Sequence, residues 1–164
     1  VGSSAKITQC GDKTKSLVVF DDLEIAPSAP KRGKPVTFFG NGEIKKPFEG
    51  SALFQLDVRL AGERVFGHKG KICGETHVPL PLGLGHIDVH GFKCPAAAGK
   101  FEDLKVDVNL PKIAPRGDYE IQFTATTPSS DDLFCVHVDL DLTHDGEIQE
   151  ETKTRVFEPL TAIM

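Results

Sequence analysis

Alternation of apolar and polar residues with a period of two is the feature that most limits how this chain can fold. In residues 52–60, Phe54, Leu56 and Val58 share one face, while Asp57 points the other way. Such a pattern is typical of a strand with one face in a core and one in water. The same pattern recurs in residues 16–25, 35–40, 104–110, 119–125 and 133–142.

Glycine and proline bound these segments, and no convincing amphipathic helix precedes residue 144. Seven or eight short strands predict an all-β fold, either an immunoglobulin-like sandwich or a barrel. We expect a bulge in the first long strand, near residues 21–22. Residues 67–99 are rich in turn-forming residues, and we predict a long loop there with a short strand at residues 86–89.

One domain over residues 1–143 fits the chain length of 164 residues. Residues 144–164 begin charged and end apolar, so we expect a tail that is either disordered or packed on the body. No N-terminal segment resembles a signal peptide, and we expect the numbered chain, if secreted, to be the mature form.

The charge of the chain excludes one class of partner. Its formal net charge is −5 and its basic residues are dispersed, whereas nucleic-acid binding requires clustered lysine and arginine. No apolar run approaches the roughly 18 residues that span a bilayer.

Four cysteines, Cys10, Cys73, Cys94 and Cys135, form an even set without a C-x-x-C pair. This pattern favours disulfides over a zinc or redox site and leaves three pairings open. Because disulfides persist in oxidising compartments, we predict a protein of the secretory pathway. The alternative is a cytosolic protein with four reduced, buried cysteines.

Motifs of catalysis are absent from the sequence. There is no G-x-S-x-G elbow, H-E-x-x-H helix or Gly-rich phosphate loop, so we expect neither an enzyme nor a bound cofactor. The best metal candidate is His86, Asp88 and His90, which would share one face of a strand. The same alternation describes a solvent-facing strand with Ile87 and Val89 turned inward, and we predict that arrangement without a metal.

Several groups of residues, in order along the chain, resemble one known family. Cys10 precedes the first long strand, and residues 27–33 (PSAPKRG) precede the next. Residues 72–76 (ICGET) lead on to residues 91–95 (GFKCP), and residues 110–119 (LPKIAPRGDY) precede a later strand. Together they resemble the ML-domain (lipid-recognition) family, which includes the Niemann-Pick type C sterol carrier and fungal phosphatidylglycerol/phosphatidylinositol transfer proteins.

The resemblance implies an immunoglobulin-like two-sheet β-sandwich whose sheets splay at one end to admit a lipid. It also implies the disulfides Cys10–Cys135 and Cys73–Cys94. The chain departs from many animal members by lacking a second early cysteine pair, and its segment between Cys73 and Cys94 is long for the family.

Carried over by position, Phe66 and Ile113 would lie near the pocket entrance. Leu80, Leu82 and Leu84, with Phe66, are the rim residues that we expect to meet a membrane. The other predicted lipid-binding residues face inward by alternation: Val36, Phe38, Phe54, Leu56, Val58, Val106, Val108, Ile121, Phe123, Val136 and Val138.

The resulting hypothesis is a monomeric carrier of one lipid, with a sterol favoured over a phospholipid, in a lysosomal or vacuolar lumen or outside the cell. Its partners would be the lipid and, transiently, an accepting membrane or membrane protein. The alternative is an accessory protein that presents a lipid to a receptor or enzyme. A third possibility is a sandwich with a filled core, which an internal cavity below about 300 Å³ would favour.

Overall fold

The computed structural model describes residues 3–145, which contain strands and no helix. Accordingly, none of the described residues belongs to a helix long and apolar enough to cross a bilayer. The strands in this range are β1 (Ser4–Cys10), β2 (Val18–Ala26), β3 (Val36–Ile44), β4 (Leu53–Leu60), β5 (Glu63–Lys71), β6 (Glu75–Pro79), β7 (His86–His90), β8 (Gly99–Asn109), β9 (Asp118–Thr126) and β10 (Asp132–Asp141).

These strands form two antiparallel sheets of five strands each. Sheet I has the order β1-β10-β9-β4-β5, and sheet II has the order β2-β3-β8-β7-β6. Buried apolar side chains from both sheets form one cluster between them. The predicted all-β, immunoglobulin-like two-sheet sandwich is therefore confirmed.

The burial of the strands follows the predicted period of two. Along β3, Val36, Phe38 and Ile44 are buried, while Thr37 and Phe39 are partly exposed. Strands β4, β9 and β10 alternate in the same way. Each buried side chain of this kind contributes about 1.5–3 kcal/mol, so a register slip that exposed the whole set would be strongly disfavoured.

A bulge interrupts the pairing of β2 with β3, as the sequence predicted. The register shifts between Phe20 and Asp22. On the neighbouring strand β3, Gly42 approaches β2 so closely that a β-carbon would overlap the carbonyl oxygen of Val19. The bulge changes the phase of β2, and Phe20 and Leu23 both face the interior although they are three residues apart.

The prediction of a long loop over residues 67–99 is wrong for much of that range. Residues 67–71 complete β5, and β6 and β7 form a hairpin at the edge of sheet II. Val78 is the buried residue of β6, so this edge strand shows no apolar alternation that sequence analysis could detect. The short strand predicted at residues 86–89 is confirmed as β7.

Both predicted disulfides are present. Cys10 and Cys135 lie directly opposite each other on β1 and β10, with their Cα atoms 4.9 Å apart. Cys73 and Cys94, whose Cα atoms are 5.8 Å apart, join the turn after β5 to the segment before β8. The first disulfide links neighbouring strands of sheet I, and the second ties down the β6–β7 hairpin.

Arg32, in the turn between β2 and β3, connects three distant segments. Its backbone amide and its Nε both donate to Oδ2 of Asp145, at 2.9 and 2.8 Å, and its Nη1 donates to the carbonyl oxygen of Ala114 at 2.7 Å. Asp145, which the sequence prediction placed in the tail, is buried. The rest of the predicted tail, residues 146–164, lies outside the described residues.

Candidate functional site

A small apolar cavity lies between the two sheets. Its volume is about 40 Å³, and both sheets contribute to its wall. No lining residue carries a titratable group, so the wall offers no nucleophile, proton donor or metal ligand. The lining residues are Ile7, Phe20, Leu23, Phe38, Phe39, Gly40, Leu56, Ile87, Leu104, Val106, Val108, Ile121, Phe123, Phe134, Val136 and Val138.

The cavity is small compared with a ligand-filled pocket. Pockets that hold drug-sized ligands span roughly 300–1,000 Å³, whereas the free space here is about 40 Å³. The interior in this conformation is thus close to the filled core that the sequence left as an alternative. A lipid would enter only if the two sheets moved apart.

The cavity wall reaches the surface at the edge formed by β1 and β2. Ile7 on β1, and Phe20 and Leu23 on β2, line the cavity and are partly exposed. Strands β5 and β6, at the opposite edge, contribute none of the lining residues. The β1–β2 edge therefore brings three cavity-lining side chains to the surface.

One side chain spans that edge. Nε2 of Gln9 on β1 donates to the carbonyl oxygen of Val18 at 3.1 Å, and Oε1 of Gln9 accepts from the amide of Phe20 at 3.0 Å. Strand β2 lies at the edge of sheet II and pairs with β3 alone. The carboxamide of Gln9 therefore satisfies two backbone groups on the unpaired side of β2. Two partly exposed hydrogen bonds, each worth about 0.5 kcal/mol, hold the sheets together where the cavity nears solvent.

Aromatic rings form one part of the cavity wall. Phe123 stacks on Phe134 with a centroid distance of 5.7 Å, and Phe20 meets Phe134 edge-on at 5.3 Å. Phe54 stacks on the other side of Phe123 at 5.0 Å. These contacts join sheet I to β2 through flat, mutually packed rings.

The thirteen predicted lipid-binding residues fall into three groups. Val36, Phe54 and Val58 are buried in the core outside the cavity wall. Phe66 is half-buried on β5, beside His68, and Ile113 is 85% exposed in the loop between β8 and β9; neither lines the cavity. The remaining eight line it: Phe38, Leu56, Val106, Val108, Ile121, Phe123, Val136 and Val138. Contact of any of them with a lipid stays a prediction.

Sequence analysis missed several lining residues, each for a definite reason. Phe20 and Leu23 lie on either side of the bulge, so a strict period of two cannot place both inside. Ile7 lies on β1, whose sequence alternates too weakly to stand out. Phe134 and Ile87 did carry a usable signal, because each is in phase with inward-facing neighbours on its strand.

Two neighbouring turns expose large apolar side chains. Leu82, between β6 and β7, is 95% exposed, and a β-carbon placed on Gly83 would lie 4.0 Å from Cδ1 of the exposed Ile113. Leu80 and Leu84, which were also expected at the rim, are buried. Of the three leucines in this turn, Leu82 is exposed to solvent, whereas Leu80 and Leu84 pack into the protein.

The outer face of sheet I carries a carboxyl pair. A hydrogen bond with Asp139, followed by partial burial, raises the pKa of Asp118 to about 7. Oδ1 of Asp118 is buried and makes no hydrogen bond. The fold thus favours the protonated form of Asp118, which lies beside a second carboxyl group.

Comparison with known proteins gives a consistent result. The model of the ML domain matches residues 4–142. Relatives named phosphatidylglycerol/phosphatidylinositol transfer protein include one from Eremothecium gossypii, 26% identical over 140 residues, which are 85% of this chain and 61% of that protein. The one from Kluyveromyces lactis is 25% identical over 137 residues, which are 83% of this chain and 73% of that protein. This chain thus spans less than two thirds of the Eremothecium protein.

Two solved structures share the fold. The crystal structure of a Niemann-Pick type C2 protein from Japanese carpenter ant superposes with a TM-score of 0.55 at 19% identity, covering 82% of this chain and 96% of that one. The crystal structure of chicken MD-1 complexed with lipid IVa gives a TM-score of 0.50 at 14% identity, covering 87% and 91%. At such identities the likeness establishes the sandwich architecture.

Proposed function

We propose, because this chain belongs to the ML-domain family, that it binds one lipid between its two sheets and transfers it between membranes. The observation that carries the proposal is the cavity wall, which combines apolar side chains of both sheets with no titratable group. A surface of this kind gains free energy from apolar ligands and offers nothing to a charged one.

The hydrophobic effect would drive binding. Removing apolar surface from water contributes roughly 25 cal/mol per Å², so burying about 400 Å² of lipid would contribute on the order of 10 kcal/mol before the entropy of association is subtracted.

Entry would occur at the β1–β2 edge. Parting the sheets there requires breaking the two hydrogen bonds of Gln9 and moving Phe20 and Leu23, which are already partly exposed. The Cys10–Cys135 disulfide would not oppose this motion, since it links two strands of the same sheet.

A glycerophospholipid is the favoured ligand, with its acyl chains between the sheets and its headgroup in solvent. The names of the two relatives, phosphatidylglycerol/phosphatidylinositol transfer protein, support this class. A sterol, which the sequence resemblance favoured, is the alternative ligand and would lie wholly inside with its hydroxyl group at the mouth.

Docking to a membrane would use the exposed pair Leu82 and Ile113. Lys112 and Arg116 lie in the same loop as Ile113, and cationic side chains beside exposed apolar ones suit a surface of anionic lipids. The two disulfides support an oxidising location, either a lysosomal or vacuolar lumen or the extracellular space.

Native mass spectrometry of protein purified from a eukaryotic secretory host tests the proposal. We expect a retained mass that matches one phospholipid, and transfer of fluorescent phosphatidylglycerol or phosphatidylinositol between vesicles. Val106→Trp, which fills the cavity, should lose most of the bound lipid, whereas Val65→Trp, on the exposed part of β5, should not.

Other outcomes discriminate the alternatives. A retained sterol would reverse the ligand preference but keep the pocket. A tightly bound protein partner with no transfer between vesicles would favour a lipid-presenting accessory protein. If no lipid is extracted, and neither fluorescent sterol nor fluorescent phospholipid binds, the proposal fails and the molecule is a sandwich with a filled core.

A further inference from the structure

Two histidines and an aspartate cluster on the outer face of sheet II, at the β6–β7 hairpin. Nδ1 of His77 lies 2.5 Å from Oδ1 of Asp88, and Nε2 of His86 lies 3.4 Å from Oδ2 of Asp88. The centroids of the two imidazole rings are 4.9 Å apart. One potential ligand atom from each residue lies within 4.8 Å of the other two.

Strand register explains why these three side chains converge. His77 on β6 pairs directly with Asp88 on β7, so their side chains project from the same face. His86 precedes Asp88 by two residues and shares that face. The opposite face of β7 carries Ile87 and Val89, which are buried. Packing of these two residues in the core therefore holds the hairpin that carries the cluster in place.

His90, the third member of the sequence pattern, belongs to a different network. Its Nδ1 lies 2.9 Å from Oε1 of Glu75, and its Nε2 lies 3.0 Å from Oδ2 of Asp107. Both ring nitrogens therefore already have carboxylate partners. Oδ1 of Asp107 in turn accepts a hydrogen bond from Thr37 at 2.6 Å.

We propose that His77, His86 and Asp88 bind a zinc-class divalent transition-metal ion. Two imidazoles and one carboxylate suit such an ion, which binds nitrogen and oxygen ligands at about 2.0–2.2 Å in tetrahedral geometry. In that geometry the donor atoms lie about 3.3 Å apart, close to the 3.4 Å between His86 and Asp88. The ion would replace the hydrogen bond between His77 and Asp88, and those two side chains need only rotate apart slightly.

The site would have three protein ligands and one position open to solvent. His77 is the most exposed of the three, with 62% of its side chain accessible, so an ion can enter without opening the fold.

Metal binding would tie the edge strand β6 to β7. His86 is the first residue of β7, directly after the turn that carries Leu82. An ion held by His77 and His86 would therefore stiffen the hairpin at its turn end. This effect is independent of lipid binding, because the ligands lie on the opposite face of sheet II from the cavity.

Titration of tag-free protein with Zn²⁺ against a fluorescent zinc chelator tests the proposal. We expect one bound ion per chain. His77→Gln, His86→Gln and Asp88→Asn should each lower the affinity at least tenfold, by analogy with the roughly 10–100-fold losses seen when the support of a metal ligand is removed. Nitrogen NMR of the imidazoles should show metal-dependent shifts at His77 and His86.

Two control variants separate this site from adventitious binding. His137→Gln, on the outer face of sheet I, and His90→Gln, on the same strand as the cluster, should leave the affinity unchanged. Far-UV circular dichroism in EDTA checks that all variants fold. Equal zinc affinity in His77→Gln and the unsubstituted protein would overturn the proposal, as would a loss confined to His90→Gln.

Discussion

The two faces of β7 have opposite character, although one five-residue strand supplies both. Ile87 and Val89 are buried against the opposite sheet. His86, Asp88 and His90 point outward and contact charged or imidazole groups of neighbouring strands. The stability that the inner face contributes depends on how much apolar surface it buries. The contacts of the outer face depend on which side chains the strand register places next to it.

Sheet I repeats this contrast. The inner face of β10 contributes Phe134, Val136 and Val138 to the cavity wall. Its outer face carries Cys135, bonded to Cys10, and Asp139, hydrogen-bonded to Asp118. Inner positions can therefore exchange one apolar residue for another with modest effect, while outer positions act through specific partners.

The sharpest test of the contrast compares a substitution on the inner face of β7 with one on its outer face. Ile87→Asp should destabilise the fold by about 4 kcal/mol or more, because it buries a carboxyl group without a partner and removes apolar surface. Asp88→Ala should cost less than about 1 kcal/mol, since its partners remain in solvent. Chemical denaturation measures both, and similar losses would contradict the distinction between the faces.

Removing the disulfide of sheet I should have an effect of similar size. The Cys10→Ser/Cys135→Ser variant releases a loop of 125 residues, for which the chain-entropy model gives about 5 kcal/mol. The Cys73→Ser/Cys94→Ser variant releases a loop of 21 residues, which corresponds to about 3 kcal/mol. Denaturation midpoints should fall in that order, and the reverse order would show that strain or residual structure outweighs loop entropy.

Asp145→Asn tests a buried ion pair at the end of the sandwich. Burial opposes ionisation of Asp145, but the hydrogen bonds and charge of Arg32 outweigh it and lower the pKa of the carboxyl. We expect a loss of about 2–3 kcal/mol at neutral pH, because the Arg32 side chain, which is only 17% exposed, loses its carboxylate partner. The difference from the unsubstituted protein should disappear as the pH falls from about 4 through the lowered pKa.

Asp118→Asn tests the carboxyl pair on the outer face and should stabilise the protein. Since the pKa of Asp118 is raised to about 7, its stabilising contribution is fully present below about pH 4 and is lost as the pH rises through 7. The unsubstituted protein should thus be more stable at pH 5 than at pH 8. Asp118→Asn should gain about 1–2 kcal/mol at pH 8, allowing for solvent screening, and little at pH 5.

Glu24→Gln, at an exposed position on β2 of sheet II, is the control for removing one negative charge. Its thermal unfolding temperature should depend on pH as that of the unsubstituted protein does. If Asp118→Asn shows no greater gain at pH 8 than this control, the shared proton between Asp118 and Asp139 is not the cause.

Gln9→Leu, at the edge where β1 and β2 meet, should change stability only slightly. Loss of two partly exposed hydrogen bonds should cost about 1 kcal/mol. Exchange of a bound fluorescent lipid should nevertheless become faster, because the edge opens more often. Gln122→Leu, on the outer face of sheet I, is the matched control, and equal exchange rates in the two variants would locate the entrance elsewhere.

The sequence alone determined which residues face inward on the long strands. Alternation requires no knowledge of neighbours, so it placed Phe38, Leu56, Ile121 and Val136 inside. Family resemblance supplied the disulfide pairs, because the order of motifs around the cysteines is distinctive. Both predictions relied on patterns that can be read along the sequence, namely the alternation within a strand and the order of the motifs.

Only the tertiary structure decided how strands that are distant or weakly patterned meet. In the structure, His77 pairs with Asp88, and His90 instead contacts Glu75 and Asp107. Gln9 spans the β1–β2 edge. The tertiary structure also set the free space between the sheets at about 40 Å³. The physical reason is that register, sheet separation and edge contacts arise from many side chains packing at once, whereas a period of two reports only which way each residue points.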